Sequence, residues 1–119
     1  MKTKKNLLIL AVFTLVMMTI SVNISESKEI QKSKTITIEL NSIQCDMCVE
    51  KVTEVINSVV GVEKAEVDLE KKIATVTYNT DMTNKKAIEK AITSAGYNAN
   101  KKTADKEAYN NLSSCCKKP

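Results

Sequence analysis

The chain has only two glycines, Gly61 and Gly96, and each stands at the end of an apolar stripe with helical spacing. Val49, Val52, Val55, Ile56 and Val59 recur at helical intervals before Gly61, and Ala87, Ile88, Ala91, Ile92 and Ala95 do the same before Gly96. Glycine adopts the left-handed backbone that stops a helix without a steric penalty. Two helices are therefore marked out, one over about 46–60 and one running from a cap at Thr83 or Asn84 to Gly96.

The segments around them alternate with period two. Ile36, Ile38 and Leu40 face one way and Thr35, Thr37 and Glu39 the other. Val67 and Leu69 alternate with Glu66, Asp68 and Glu70, and Ala74, Val76 and Tyr78 alternate with Ile73, Thr75 and Thr77, as half-buried strands require. Lys71-Lys72 makes the turn between the last two, in a hairpin that lacks the usual Gly or Asn. Residues 97–101 read as a short final strand. Strand, helix, strand, strand, helix, strand over 35–101 is the α+β, ferredoxin-like βαββαβ sandwich, a four-stranded antiparallel sheet with two helices on one face.

Outside that unit, Met1-Lys2-Thr3-Lys4-Lys5 is basic, 7–20 is almost wholly apolar and 21–27 is small and polar. Residues 1–27 thus read as a signal peptide, and the protein as exported. An uncleaved membrane anchor is the other reading, although the apolar run stops short of the roughly 20 residues that a spanning helix needs. Residues 28–34 read as a solvated linker. Residues 102–119 read as a flexible tail, with a weak helix over 104–112 and a vicinal Cys115-Cys116 pair near its end.

Cys45-Asp46-Met47-Cys48 lies where the first strand gives way to the first helix. Unpaired amides and the positive end of the helix dipole favour thiolates there. Thiolate is a soft ligand, and two of them suit ions content with low coordination numbers, Cu(I) or Hg(II). Cys115 and Cys116 are candidate additional ligands, since the roughly 14 residues after Lys101 can span on the order of 45 Å. With three or four sulfurs, Zn(II) or Cd(II) also comes within reach. Lys51, one turn beyond Cys48, and the helix N-terminus would offset the charge of a metal bis-thiolate, which Asp46 opposes unless it caps the helix. Met47, between the two cysteines, is expected to point outward or pack.

Two other uses of the same thiols stand beside metal binding. An exported chain with four cysteines can form structural disulfides, although a bridge from Cys45 to Cys48 closes too short a loop to stabilise much. A CxxC pair at a helix start also suits a thiol-disulfide exchange protein, but that fold uses a nearby proline and the only proline is Pro119. The composition excludes more. The chain has no histidine, so Cys/His catalysis and imidazole ligation are out, and we expect no enzyme of that class. It also has no arginine, and its formal charge of +4 falls to +2 when residues 1–27, with three lysines and one glutamate, are set aside. RNA-binding domains of the same topology stack bases on sheet aromatics, whereas the strands over 35–40 and 73–78 offer only Tyr78. No nucleic acid is expected as a partner.

From Thr35 to about Lys101 the chain resembles the heavy-metal-associated (HMA) domain family, which includes copper chaperones, modules of copper-transporting P-type ATPases and periplasmic mercury-binding proteins. The resemblance rests on Ile36-Thr37-Ile38, Cys45-x-x-Cys48, Val52 and Ile56, Gly61-Val62, Val67, Ala74-Thr75-Val76-Thr77-Tyr78, Ile88, Ala91-Ile92 and Ala95-Gly96-Tyr97. It implies a non-enzymatic metal carrier with Cys45 and Cys48 as ligands and Tyr97 near the metal loop. It also implies a periplasmic location, a monomer, and a membrane metal transporter or P-type ATPase as the partner that receives the ion. The family usually carries Gly-Met three and two residues before its first cysteine, where this chain has Ser42 and Ile43. Ile43 is then the expected buried anchor of the loop.

Overall fold

The computed structural model describes residues 32–117, so the signal peptide and most of the linker expected over 1–31 lie outside the described residues. In chain order the elements are β1 (Ser33–Glu39), α1 (Asp46–Asn57), β2 (Val62–Asp68), β3 (Ile73–Asn79), α2 (Lys85–Ser94), α3 (Lys106–Asn110) and a 3-10 turn (Ser114–Cys116). The three strands form one antiparallel sheet in the order β1-β3-β2. Ile36 lies opposite Val76 and Ile38 opposite Ala74, while from the other side Ala65 and Val67 meet the same two residues. Period-two alternation therefore collects the apolar side chains of all three strands on one face.

Helices α1 and α2 cover that face through Val52, Ile56, Ile88 and Ile92, all fully buried with Ile38, Leu40 and Val76. The opposite face is polar, with the Thr35 and Thr77 hydroxyls paired at 2.9 Å across β1 and β3. This is the ferredoxin-like α+β arrangement with its two helices on one face of the sheet. No helix among the described residues is long and apolar enough to cross a membrane.

Local chemistry sets the boundaries. Asn84, rather than Thr83, caps α2 by accepting the Ala87 amide at 2.9 Å. Helix α1 stops at Asn57, short of residue 60, and the Ser58 hydroxyl donates to the Val55 carbonyl at 2.6 Å. The hairpin turn that lacks Gly or Asn is closed by Lys72 at φ 54°, with the Asp68 carboxylate accepting the Lys71 amide at 2.9 Å.

The expected fourth strand over 97–101 does not form, and the sheet among the described residues has three strands. The segment lies beside β1 as a fourth strand would, but side chains do much of the pairing. The Asn100 amide donates to the Glu39 carbonyl at 2.8 Å. The Glu39 amide, in turn, donates to the Asn100 side-chain oxygen at 2.9 Å. Gly96 at φ 101° and Asn100 at φ 53° bracket only three residues, too few for a ladder.

Residues 102–117, expected as part of a loose tail, are packed against this body. The Asp105 amide donates to the Thr93 carbonyl at 2.9 Å, and the Ala104 amide to the Asn98 side-chain oxygen at 2.8 Å. Asp105 also caps α3 by accepting the Ala108 amide at 2.9 Å. Leu112 lies against the core and Cys116 is part of it.

Candidate metal centre

The loop between β1 and α1 is pinned from below. Ile43 is fully buried, as expected of the anchor, and its amide donates to the Leu40 carbonyl at 3.2 Å. Cys45 follows in extended backbone (φ −151°, ψ 172°) as the residue that starts α1, its carbonyl accepting the amides of Cys48 at 3.0 Å and Val49 at 3.2 Å. Asp46 is therefore the first residue inside the helix and not its cap. Its carboxylate stands in the first turn, where the helix dipole favours negative charge. One turn on, Cys48 is 0% exposed among the core residues while Cys45 is half-buried at the surface. Their sulfurs are 3.4 Å apart.

The chain returns to this loop by way of α3. An added Cβ on Gly96 would come within 2.9 Å of the Ala108 carbonyl group, so the backbone of α3 rests directly on this glycine. From there Leu112 and the 3-10 turn carry the vicinal pair to the Cys45–Cys48 loop. The Cys115 sulfur lies 3.1 Å from that of Cys45, and the Cys116 sulfur lies 3.8 Å from it. Cys45 is thus the hub of four free thiols, in contact with each of the other three. The sulfurs of Cys45, Cys115 and Cys116 all lie within 4.8 Å of one another.

The cluster divides electrostatically. Chiefly the Cys115 thiol, and then the Cys48 amide, pull the Cys45 thiol down to about 7. Burial and then the Cys48 thiol push Cys116 up to about 12, against the opposing hydrogen bond from Tyr97. Cys115 is raised, chiefly by its hydrogen bond with the Cys45 thiol and then by burial. The fully covered Tyr97 hydroxyl is also raised, by burial and then by Cys116, and it stands beside both Cys116 and Cys48. The arrangement carries one anion well at neutral pH; a thiophilic cation in place of the shared protons would allow the site more than one.

The flanking residues take lesser roles. Met47 points outward at 54% exposure. Lys51 pairs loosely with Glu54 at 3.9 Å and, with Met47, Tyr97, Leu112 and Cys116, lines a shallow recess beside the thiols. Sequence reasoning missed the link between Ser42 and Asn98. The buried Ser42 hydroxyl accepts the Asn98 amide at 2.8 Å, tying the loop that leads to Cys45 to the segment that bears Tyr97. No local pattern announces a contact across 56 positions.

The model of the heavy-metal-associated domain matches residues 37–98. Over 64 residues the chain is 39% identical to the mercuric transport protein periplasmic component of Shewanella putrefaciens, an overlap of 54% of this chain and 70% of that protein. It is 32% identical over 75 residues to a copper-exporting P-type ATPase of Staphylococcus epidermidis, covering 63% of this chain and 9% of the ATPase. Among solved structures, oxidized MerP from Ralstonia metallidurans CH34 superposes with a TM-score of 0.55 at 31% identity, over 56% of this chain and 93% of that one.

Proposed function

The chain belongs to the heavy-metal-associated domain family, and on that premise we propose that it is an exported, non-enzymatic carrier of a soft metal ion, Cu(I) or Hg(II). The observation that carries this reading is the pair of Cys45 and Cys48 sulfurs 3.4 Å apart at the start of α1, one accessible and one buried. Two such donors capture a thiophilic cation, and the accessible one gives an incoming thiolate a place to attack. Release then proceeds by ligand exchange through three-coordinate states, a route suited to ions that do not enforce a closed tetrahedron.

The likeness to a periplasmic mercuric transport component supports a periplasmic carrier, and the likeness to a copper-exporting ATPase supports a membrane transporter or P-type ATPase as acceptor. In a competition titration of reduced protein with Cu(I), Cys45→Ser and Cys48→Ser should each lower the affinity by more than about 100-fold while far-ultraviolet circular dichroism stays native. Unchanged affinity in both variants overturns the reading. A thiol-disulfide exchange protein is the second reading, favoured by a Cys45 thiol lowered to about 7 with the Cys115 sulfur 3.1 Å away. Catalytic reduction of insulin by a protein without metal affinity would select it.

A further inference from the structure

We infer that the segment over 102–117 is a built-in second half of the metal centre, in which Cys115 and Cys116 ligate the ion together with Cys45 and Cys48 and must lift away before the ion is passed on. This rests on the carrier reading above and adds the device that governs retention and release.

The geometry points that way first. If the vicinal cysteines were merely a surface pair, nothing would direct them to the metal loop. Instead Cys115 and Cys116 lie 3.9 Å from each other, yet each is closer to Cys45, at 3.1 and 3.8 Å. Cys116 is 3% exposed and belongs to the same core cluster as Cys48.

The approach is also constructed. Gly96 is the one residue that leaves room for the backbone of α3, the Asn98 side chain and the Thr93 carbonyl hold residues 104 and 105, and Leu112 seats the last stretch on the core. Thr93, Gly96 and Asn98 lie within the match to the family model, but the segment they hold, with Cys115 and Cys116, lies beyond residue 98, where that match ends. The second pair of thiols is therefore an addition of this chain to the shared domain.

The chemistry gives the addition a consequence. A two-thiolate site exchanges its ion readily, whereas three or four thiolates hold it more tightly and admit ions that prefer higher coordination, Zn(II) and Cd(II) among them. Each thiol that ligates releases its proton to solvent, and each that leaves during transfer is replaced by a thiolate of the acceptor. No electron changes hands.

The test uses reduced, full-length mature protein and its Cys115→Ser/Cys116→Ser variant, with Cys45→Ser as the control. Cd(II) titration, read through sulfur-to-metal charge-transfer absorbance, should show about half the thiolate contribution in the double variant. Cu(I) should pass from the variant to a competing chelator at least about tenfold faster than from the wild type. Equal absorbance and equal transfer rates, with Cys45→Ser still weakened more than about 100-fold, would overturn the second half of the site and leave the carrier reading intact. Failure of the wild type to bind either ion overturns both.

Discussion

The Cys45/Cys48 pair and the Cys115/Cys116 pair each offer one buried and one accessible sulfur, but different parts of the molecule hold them. Cys48 sits on α1 in the same cluster as Val52 and Ile56, so moving it means disturbing the core. Cys116 sits at the end of a segment fastened by the close approach at Gly96, two backbone amides and Leu112. Each of those hydrogen bonds contributes roughly 0.5–1.5 kcal/mol, which sets the cost of opening this segment well below that of unfolding the domain. Identical donors are thus presented at two mechanical costs, one fixed with the fold and one able to leave.

The sharpest break of that comparison is at the hub. Cys45 touches all three other sulfurs, whereas Cys115 is outermost. In a competition titration Cys45→Ser should lower metal affinity by more than about 100-fold, beyond what losing a residue that only orients a ligand causes, and Cys115→Ser by about tenfold. Equal losses would mean that the two pairs do not differ in rank.

The two glycines separate the pairs next. Both stand at positive φ, 97° at Gly61 and 101° at Gly96, so alanine is strained at either and should cost about 1–3 kcal/mol in thermal or denaturant unfolding. Gly61 lies beyond the C-terminal end of α1, with the Met82 Cβ in the way of a new methyl, while at Gly96 the obstacle is the backbone of α3. Gly96→Ala should therefore speed alkylation of Cys116 while Cys48 stays protected, and Gly61→Ala should leave the order of thiol reactivities as it is in the wild type.

This difference also marks how far the sequence is legible. The alternation of Ile36 and Ile38 and the stripes through Val52, Ile56, Ile88 and Ile92 correctly announce the sheet face and both helices, because local periodicity reports burial directly. Cys45 and Cys48 are legible for the same reason, as thiols placed at a helix start. Gly96, by contrast, reads as a helix stop, and only the folded chain shows that it also seats α3. The absent fourth strand has a similar cause. Asn100 takes a positive φ and completes the pairing with its side chain, a choice that period-two patterning does not encode.

Where the domain becomes the added segment, a buried charge holds the junction. Glu89 accepts hydrogen bonds from Lys102 at 2.8 Å and Asn100 at 2.9 Å, with its side chain 7% exposed. Burial pushes its carboxyl upward, but the hydrogen bonds from Lys102 and Asn100 and the charges of Lys102 and Lys85 outweigh this and hold it below the ordinary carboxylate range. A folded value below the unfolded one means stabilisation that is complete above the unfolded range and lost as pH falls through the folded value. Glu89→Gln should cost about 1.5–3 kcal/mol at neutral pH, as loss of hydrogen bonds to a charged group does. The gap between variant and wild type should close in acid, and a gap independent of pH would show that the charge does not hold this junction.

The smallest effect is the one that tests whether the inner sulfurs share a support. The buried Ser42 hydroxyl accepts the amide of half-buried Asn98 at 2.8 Å, and Asn98 also receives the Ala104 amide through its side chain. One residue therefore links the loop that leads to Cys45, the segment bearing Tyr97 and the first turn toward α3. Ser42→Ala removes the acceptor without adding bulk and leaves a part-buried amide without its partner, at a cost of about 1 kcal/mol. Because Tyr97 stands beside both Cys48 and Cys116, loosening its segment should raise the alkylation rates of these two thiols together, unlike Gly96→Ala, which frees only the second. A rise confined to Cys116 would place Ser42 among the anchors of the added segment alone, and the fixed pair would then owe nothing to the contact that the sequence concealed.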